Sequence, residues 1–258
     1  LIGTVANFVG EERLEQHFTT PDPPELYGLL RRMADAGCDY CVMEISAQAV
    51  AQRKLTGLVF EVGAFTNLSQ DHLDDFGTME RYAQAKAAFF TPAYLRRAVV
   101  NADDPAAAVM LGAWTGPTLT YGWRHPAQSF AAGCQVSMQG IAYEWRARGS
   151  VMPMALHLAG GFNVSNSLAA ASVCLELGLS MRMIAESLGQ VTGIEGRVER
   201  VPVPAPYAVI VDYAHSPDSL ENVLKAARGA TPRRLICVFG CGGNRDSLKR
   251  PIMGRLSG

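Results

Sequence analysis

Polar and ionisable side chains follow three apolar runs of this sequence: Glu44 and Ser46 after YCVM, Asn67, Asp71, His72 and Asp74 after GAFT, and Asn101, Asp103 and Asp104 after AVV. Carboxylates, an imidazole and amides gathered at one edge are the donor set that a hard divalent cation carrying phosphate oxygens requires, and they suit magnesium better than zinc. The same residue types also serve as turn and cap residues, Asp103 and Asp104 before Pro105 above all, and His72 alone is equally consistent with a structural role. Taken singly, Lys86 in YAQAKAAFF reads as a solvated helix lysine and Arg197 as a surface charge. Asn163 and Asn166, three apart at a helix start, would share one side of the helix, or would cap it. The loop FGCGGNRD follows an apolar run but lacks the full G-x-G-x-x-G pattern, so alone it is a weak phosphate or dinucleotide signal. Cys38 and Cys41 form a C-x-x-C pair, but Cys237 and Cys241 lie far off in another element, so Cys41 and Cys237 are expected as packed, reduced thiols rather than zinc ligands.

Ligands of open α/β sheets gather at the carboxyl ends of strands, so the elements decide whether these side chains can meet. A helix is predicted over LYGLLRRMADAG, capped by Thr20 or Asp22, opened by Pro23 and Pro24 and stopped at Gly37. Strands are expected at DYCVMEIS, LVFEVGAFTNL and RRAVVNADDP, with helical segments between the last two, which implies a mostly parallel sheet with flanking helices. From about Leu119 to Leu158 the pattern shortens and alternates, with Gln139-Gly140 as a hairpin tip, and predicts an antiparallel insertion flanking the main sheet. Helices resume at NVSNSLAAASVCLELG and at SMRMIAESLG, the second capped by Ser180. The proline-rich stretch near 193–206 reads as a domain junction, after which YAVIVDYA, SPDSLENVLKAARGA and RLICVFG predict a fresh βαβ unit.

With 258 residues, 48% hydrophobic and 18% charged, the chain can bury a sizeable core and exceeds the usual length of one domain. Its formal net charge of -1 and scattered basic residues give no footprint for nucleic acid or an anionic membrane. No stretch reaches the roughly 18 apolar residues of a membrane span, and LIGTVANFVGEE lacks the pattern of a signal peptide, so a cytoplasmic location is expected. A monomer is expected as well.

The segment FTNLSQDHLDDFGTMERYAQAKAAFF closely resembles the Mur ligases, and MEIS, NADDP, GGFNVSNSLAAA, GRVER, VDYAHSPDSL and FGCGGNRDSLKRP occur around it in that family's order. TTPD at 19–22, FNVSN and GCGGNRD bring it nearest to the MurE type. The resemblance implies a P-loop NTPase-like central ATP-binding domain over 1–198 and the beginning of a Rossmann-like C-terminal domain over 199–258. It also implies an ATP-dependent amide ligase acting on UDP-N-acetylmuramoyl-L-alanyl-D-glutamate and a diamino acid. Residue by residue, it implies that Glu44, His72 and Lys86 hold magnesium, Lys86 as a carbamate formed with carbon dioxide. Phe162, Asn163 and Asn166 match adenine-side contacts, Arg197 a phosphate contact, and Asp212, Tyr213 and His215 contacts to the ribose. Thr19, Thr20, Ser46 and Lys54 match substrate contacts and Arg245 a contact to the incoming amino acid.

Three departures accompany the likeness. Lys54 stands where arginine is usual, giving a point charge in place of a bidentate clamp, and Ala47 and Gln48 replace a serine and a histidine. The G-x-x-x-x-G-K-[ST] phosphate loop that such a ligase needs is not found in this sequence, and the resemblance places it one helix before LIGTV. A folylpolyglutamate- or cyanophycin-type ligase, or a non-catalytic nucleotide-binding module, are the other readings.

Overall fold

Leu1 to Val5 leads into a short hairpin, β1 (Asn7–Val9) and β2 (Glu12–Leu14), turned at Gly10 with φ +58°. The computed structural model describes residues 1–71, 73–112, 114–137, 139–231, 233–241 and 249–258. Helix α1 (Pro23–Asp35) starts on its two prolines after Asp22 and closes before Gly37, whose φ of +72° suits a residue without a Cβ. Helix α2 (Ala47–Ala51) is capped by Ser46, whose Oγ accepts from Ala49 N at 3.2 Å. Strand β3 (Phe60–Phe65) is followed by α3 (Leu73–Phe76), α4 (Met79–Ala87) and strand β4 (Leu95–Asn101). Then come α5 (Ala107–Leu111), the strands β5 (Thr118–Gly122), β6 (Ser129–Val136), β7 (Ile141–Ala147) and β8 (Ser150–Leu156), and the helices α6 (Phe162–Glu176) and α7 (Met181–Gly189). The remainder holds β9 (Glu199–Val201), β10 (Val209–Val211), α8 (Pro217–Ala230) and α9 (Lys249–Ser257).

Strands β3 to β8 form one six-stranded sheet in sequence order. The pairings from β3 through β6 are parallel and those of β6–β7 and β7–β8 are antiparallel. Strand β4 shows why a layer must cover each face. Ala98 and Val100 turn into a core with α1, α2, α4 and α5, whereas Val99 turns into a second core with α6 and α7. All three are 0% exposed, as expected of a strand buried on both sides. Strand β7 alternates strictly between buried and exposed residues, with Tyr143, Trp145 and Ala147 under α6 and the alternate residues in water.

Three expectations need correction. DYCVMEIS forms no named strand: it makes one parallel bridge, Met43 to Ile2, and Tyr40 and Val42 are exposed. An apolar run becomes a strand only where a neighbouring backbone satisfies its amides, and here only Ile2 does so, donating to Val42 O and accepting from Glu44 N. Cys41 is correspondingly exposed rather than packed. The segment from Leu119 to Leu158 is not a separate antiparallel insertion, because β5 and β6 extend the parallel sheet and only the β6–β7 and β7–β8 pairings are antiparallel. The expected βαβ unit does not form among the described residues: β10 pairs antiparallel with β9, and RLICVFG has no strand, with Ile236 and Val238 exposed.

Candidate active site

The carboxyl ends of β3, β4 and β5 are laced together by polar side chains. Asn101 donates from Nδ2 to Thr66 O at 2.7 Å, and Asp104 accepts from Leu68 N at 2.9 Å and Ala106 N at 2.8 Å. Asp103 accepts from the backbone nitrogens of Trp123, Arg124 and His125, at 2.8, 3.1 and 2.7 Å. Both aspartates therefore act as turn and cap residues, fixing the loops that follow β3 and β5. Asn67 and Asp74, the other candidates here, are exposed.

Glu44 reaches this edge from the other side. The Ile2–Met43 bridge sets Gly3 and Thr4 beside it, and Glu44 Oε2 accepts from Thr4 N at 3.0 Å and from Thr4 Oγ1 at 2.7 Å. Thr20 donates from Oγ1 to Glu44 O and accepts from Ser46 N, both at 3.0 Å. At 2% exposure its hydroxyl is bonded to the backbone that carries Glu44 and Ser46. Thr19 is half-buried with its Oγ1 3.0 Å from that of Thr4. Lys54 pairs with Asp22 at 2.7 Å and lies over the Phe18 ring, so its charge is already matched. Gln48 donates to Asp75 at 2.7 Å.

Lys86 sits in the last turn of α4, a helix capped by Thr78. It is not the solvated lysine its type suggests: desolvation lowers its pKa, opposed by the carboxylates of Glu44, Asp104 and Asp71 in that order. The ammonium also lies 5.0 Å from the Tyr82 ring centroid, and burial pushes the Tyr82 hydroxyl up to about 12, helped by Asp71. Glu44, Asp71 and Asp104, separated by up to 60 positions, thus all act electrostatically on one amine. Among the described residues Glu44 Oε1 has no hydrogen-bond partner, so one anionic oxygen remains for a hard cation such as magnesium, although no three carboxylate, imidazole or thiol side chains among those residues are gathered to hold an ion. His72 lies outside the described residues.

The nucleotide candidates divide between two elements. In the first turn of α6, Asn163 donates to Ala159 O at 2.8 Å and accepts from Asn166 Nδ2 at 2.9 Å, so the two amides share one side as their spacing predicts. Phe162 is half-buried. Trp123, which the sequence reading passed over, lies against Gly161 and donates from Nε1 to Ser165 Oγ at 3.1 Å.

The other group follows β9 and β10. The Arg197 guanidinium lies 5.2 Å from the Tyr213 ring, Tyr213 stands edge-on to His215 at 5.1 Å, and His215 Nε2 is 3.5 Å from Asp71 Oδ2. The bond to Asp71 raises the His215 pKa above its ordinary 6.5, against a smaller effect of burial. A row of side chains thus runs from Arg197 to Asp71, beside Lys86. Asp212 does not present a free carboxylate: it accepts from Val198 N and Ala214 N, both at 2.7 Å, and shapes the turn that carries Tyr213. Arg245 lies outside the described residues.

Residues 1–174 match the family model of the Mur ligase middle domain, and residues 196–258 match that of the Mur ligase, glutamate ligase domain. UDP-N-acetylmuramoyl-L-alanyl-D-glutamate--2,6-diaminopimelate ligase 1 of Clostridium acetobutylicum is 39% identical over 258 residues, covering 99% of this chain and 53% of that protein. The ligase of the same name, without the numeral, from Gloeobacter violaceus is 43% identical over 265 residues, 100% of this chain and 53% of its own. A solved structure of a UDP-N-acetylmuramoyl-L-alanyl-D-glutamate--2,6-diaminopimelate ligase superposes with a TM-score of 0.73 at 32% identity, over 93% of this chain and 50% of that one. The chain therefore spans about half the length of these relatives.

Proposed function

Since the chain belongs to the Mur ligase family, we propose that it supplies most of the catalytic centre of an ATP-dependent ligase joining a diamino acid to UDP-N-acetylmuramoyl-L-alanyl-D-glutamate. The match to the Mur ligase middle domain carries this reading, supported by a half-buried Lys86 at the end of α4 that lies in the field of Glu44, Asp71 and Asp104. The diamino acid is taken as 2,6-diaminopimelate, the one named in the similar ligases, in preference to lysine. Residues 1–198 are assigned to the ATP-binding domain and 199–258 to the beginning of the next. The protein is placed in the cytoplasm as a monomer in peptidoglycan precursor synthesis; among the described residues no helix is long and apolar enough to cross a membrane.

A free carboxylate is a poor acyl donor because oxide is a poor leaving group. The D-glutamate side-chain carboxylate therefore attacks the terminal phosphorus of ATP, the bond from that phosphorus to the bridging oxygen breaks, ADP leaves, and the carboxylate becomes an acyl phosphate. The amine of the diamino acid then adds to its carbonyl, and phosphate leaves from the tetrahedral adduct. The protein contributes position and charge matching. Glu44 and His72 would hold magnesium, which when bound neutralises charge on the phosphates. Lys86, whose amine burial keeps closer to neutrality, is suited to take up carbon dioxide and become a negatively charged carbamate. Arg197 is assigned to phosphate, Phe162, Asn163 and Asn166 to adenine, and Tyr213 and His215 to ribose, on the turn that Asp212 shapes. Thr19, Ser46 and Lys54 line the muramoyl-peptide side, and Arg245 is assigned to the diamino acid.

The test is amino-acid-dependent phosphate release by the full-length protein with the UDP-muramoyl dipeptide and diaminopimelate, set against folate substrates. Turnover only with folate would move the chain to the folylpolyglutamate type, and ATP binding without any turnover would make it a nucleotide-binding module. In the same assay Lys86→Ala should abolish activity, short carboxylates should partly restore it, and raised carbon dioxide should not. Full activity of Lys86→Ala would end the carbamate assignment.

A further inference from the structure

Glu44 is exposed, yet one of its oxygens is firmly held. Thr4 donates to Oε2 twice, from its backbone N at 3.0 Å and its hydroxyl at 2.7 Å. Gly3 lies directly against this carboxylate, and a Cβ there would make an ordinary contact of 3.4 Å with the same oxygen. The turn is anchored from beneath: Gly3 N donates to Asn7 Oδ1 at 3.3 Å, and Asn7 is 0% exposed. The Ile2–Met43 bridge fixes its register against Glu44.

The Thr4 hydroxyl has one proton, which goes to Glu44. Toward Thr19 Oγ1, 3.0 Å away, Thr4 must therefore accept, so a directed row of hydrogen bonds runs from Thr19 through Thr4 to the carboxylate. A carboxylate with one oxygen pinned by two donors has its plane set and offers the other oxygen, here Oε1, for monodentate coordination.

We propose that Thr4 is a positioning residue for the cation site: it occupies Oε2, leaves Oε1 to the metal, and links the orientation of Glu44 to Thr19 on the substrate side. This rests on the reading of Glu44 as a magnesium ligand. Partners of this kind, one step removed from a metal, typically contribute about 10- to 100-fold in metal affinity.

The test uses Mn2+ as the probe, titrated into the chain and followed by electron paramagnetic resonance of the free ion, with Thr4→Val, Thr4→Ala, Thr4→Ser and Glu44→Gln. Thr4→Val and Thr4→Ala should each weaken Mn2+ about 10-fold. Thr4→Ser, which keeps the hydroxyl, should bind as the unaltered chain does, and the melting temperature of Thr4→Val should not change. If Thr4→Val and Thr4→Ala both retain full affinity while Glu44→Gln loses it, the role of Thr4 is overturned and the metal site stands. If Glu44→Gln leaves affinity unchanged, Glu44 is not a ligand, and the assignments of both residues fall.

Discussion

Replacing Trp145 by Phe probes how α6 is held over the sheet. Trp145 is fully buried on β7 and donates from Nε1 to Ser129 Oγ on β6 at 2.9 Å; Ser172 on α6 donates to the same oxygen at 2.8 Å. Both serines are 0% exposed, so this three-membered contact fastens α6 to the outer part of the sheet in an apolar setting. Loss of the indole donor costs about 1 kcal/mol. Truncating a buried Trp to Ala costs about 3–5 kcal/mol, and exchanging only the outer ring for a void costs about 1–2 kcal/mol of that. The sum of about 2–3 kcal/mol corresponds to a fall in melting temperature of roughly 5–10 °C in a chain of this size. Urea unfolding followed by far-ultraviolet circular dichroism is the suitable assay, because the substitution removes a fluorophore. Its midpoint should fall with an unchanged slope. A double-mutant cycle with Ser172→Ala should show a coupling of at least about 0.5 kcal/mol. A Trp145→Phe variant destabilised by less than about 0.5 kcal/mol, or strict additivity with Ser172→Ala, would refute the idea that this contact fastens the helix.

Asp103, with a side chain only 8% exposed, accepts three consecutive backbone amides, and Asp103→Ala should cost about 3 kcal/mol and speed hydrogen exchange at Trp123, Arg124 and His125. Because Asp71 raises the His215 pKa, that pair should stabilise the fold fully below the ordinary value of 6.5 and lose its effect as pH rises through the raised value. The contribution is small, since both side chains retain solvent contact. An NMR titration of the His215 ring should show the raised midpoint, and Asp71→Asn should return it toward the ordinary range.

Local chemistry was readable where it is written in adjacent residues. Pro23 and Pro24 before a 3.6-periodic run, Ser180 before SMRMIAESLG and the Gln139-Gly140 tip each impose one conformation, and the structure has them in place. Partnership was not readable. YCVM and ICVF are as apolar as the runs of β3 and β4, but a strand needs a second backbone alongside, and no property of Val42 or Val238 reports whether one is there. The alternation of β7 marks a sheet with one wet face without saying that β6 joins β5 in parallel. At the site, the polar residues after each apolar run were visible, and the capping alternative for Asp103 and Asp104 describes what they do. The surroundings of Lys86 were not visible, because its carboxylate neighbours come from three separate segments. Thr4 gave no signal at all, being a threonine 40 positions from its partner.

The Asp22–Lys54 contact bears on how the muramoyl-peptide side would respond to an anion. Asp22 occupies the N-cap position of α1, yet its side chain makes no cap hydrogen bond and reaches across to Lys54 instead. A carboxylate arriving at Lys54 exchanges one ion pair for another, so little electrostatic attraction is gained in the exchange itself. What changes is downstream: the displaced Asp22 becomes available to the N–H of Glu25, the first amide of α1 after two prolines that carry none, worth about 1 kcal/mol to that helix. Occupancy at the lysine is thereby converted into firmness of a helix on the other side of the aspartate.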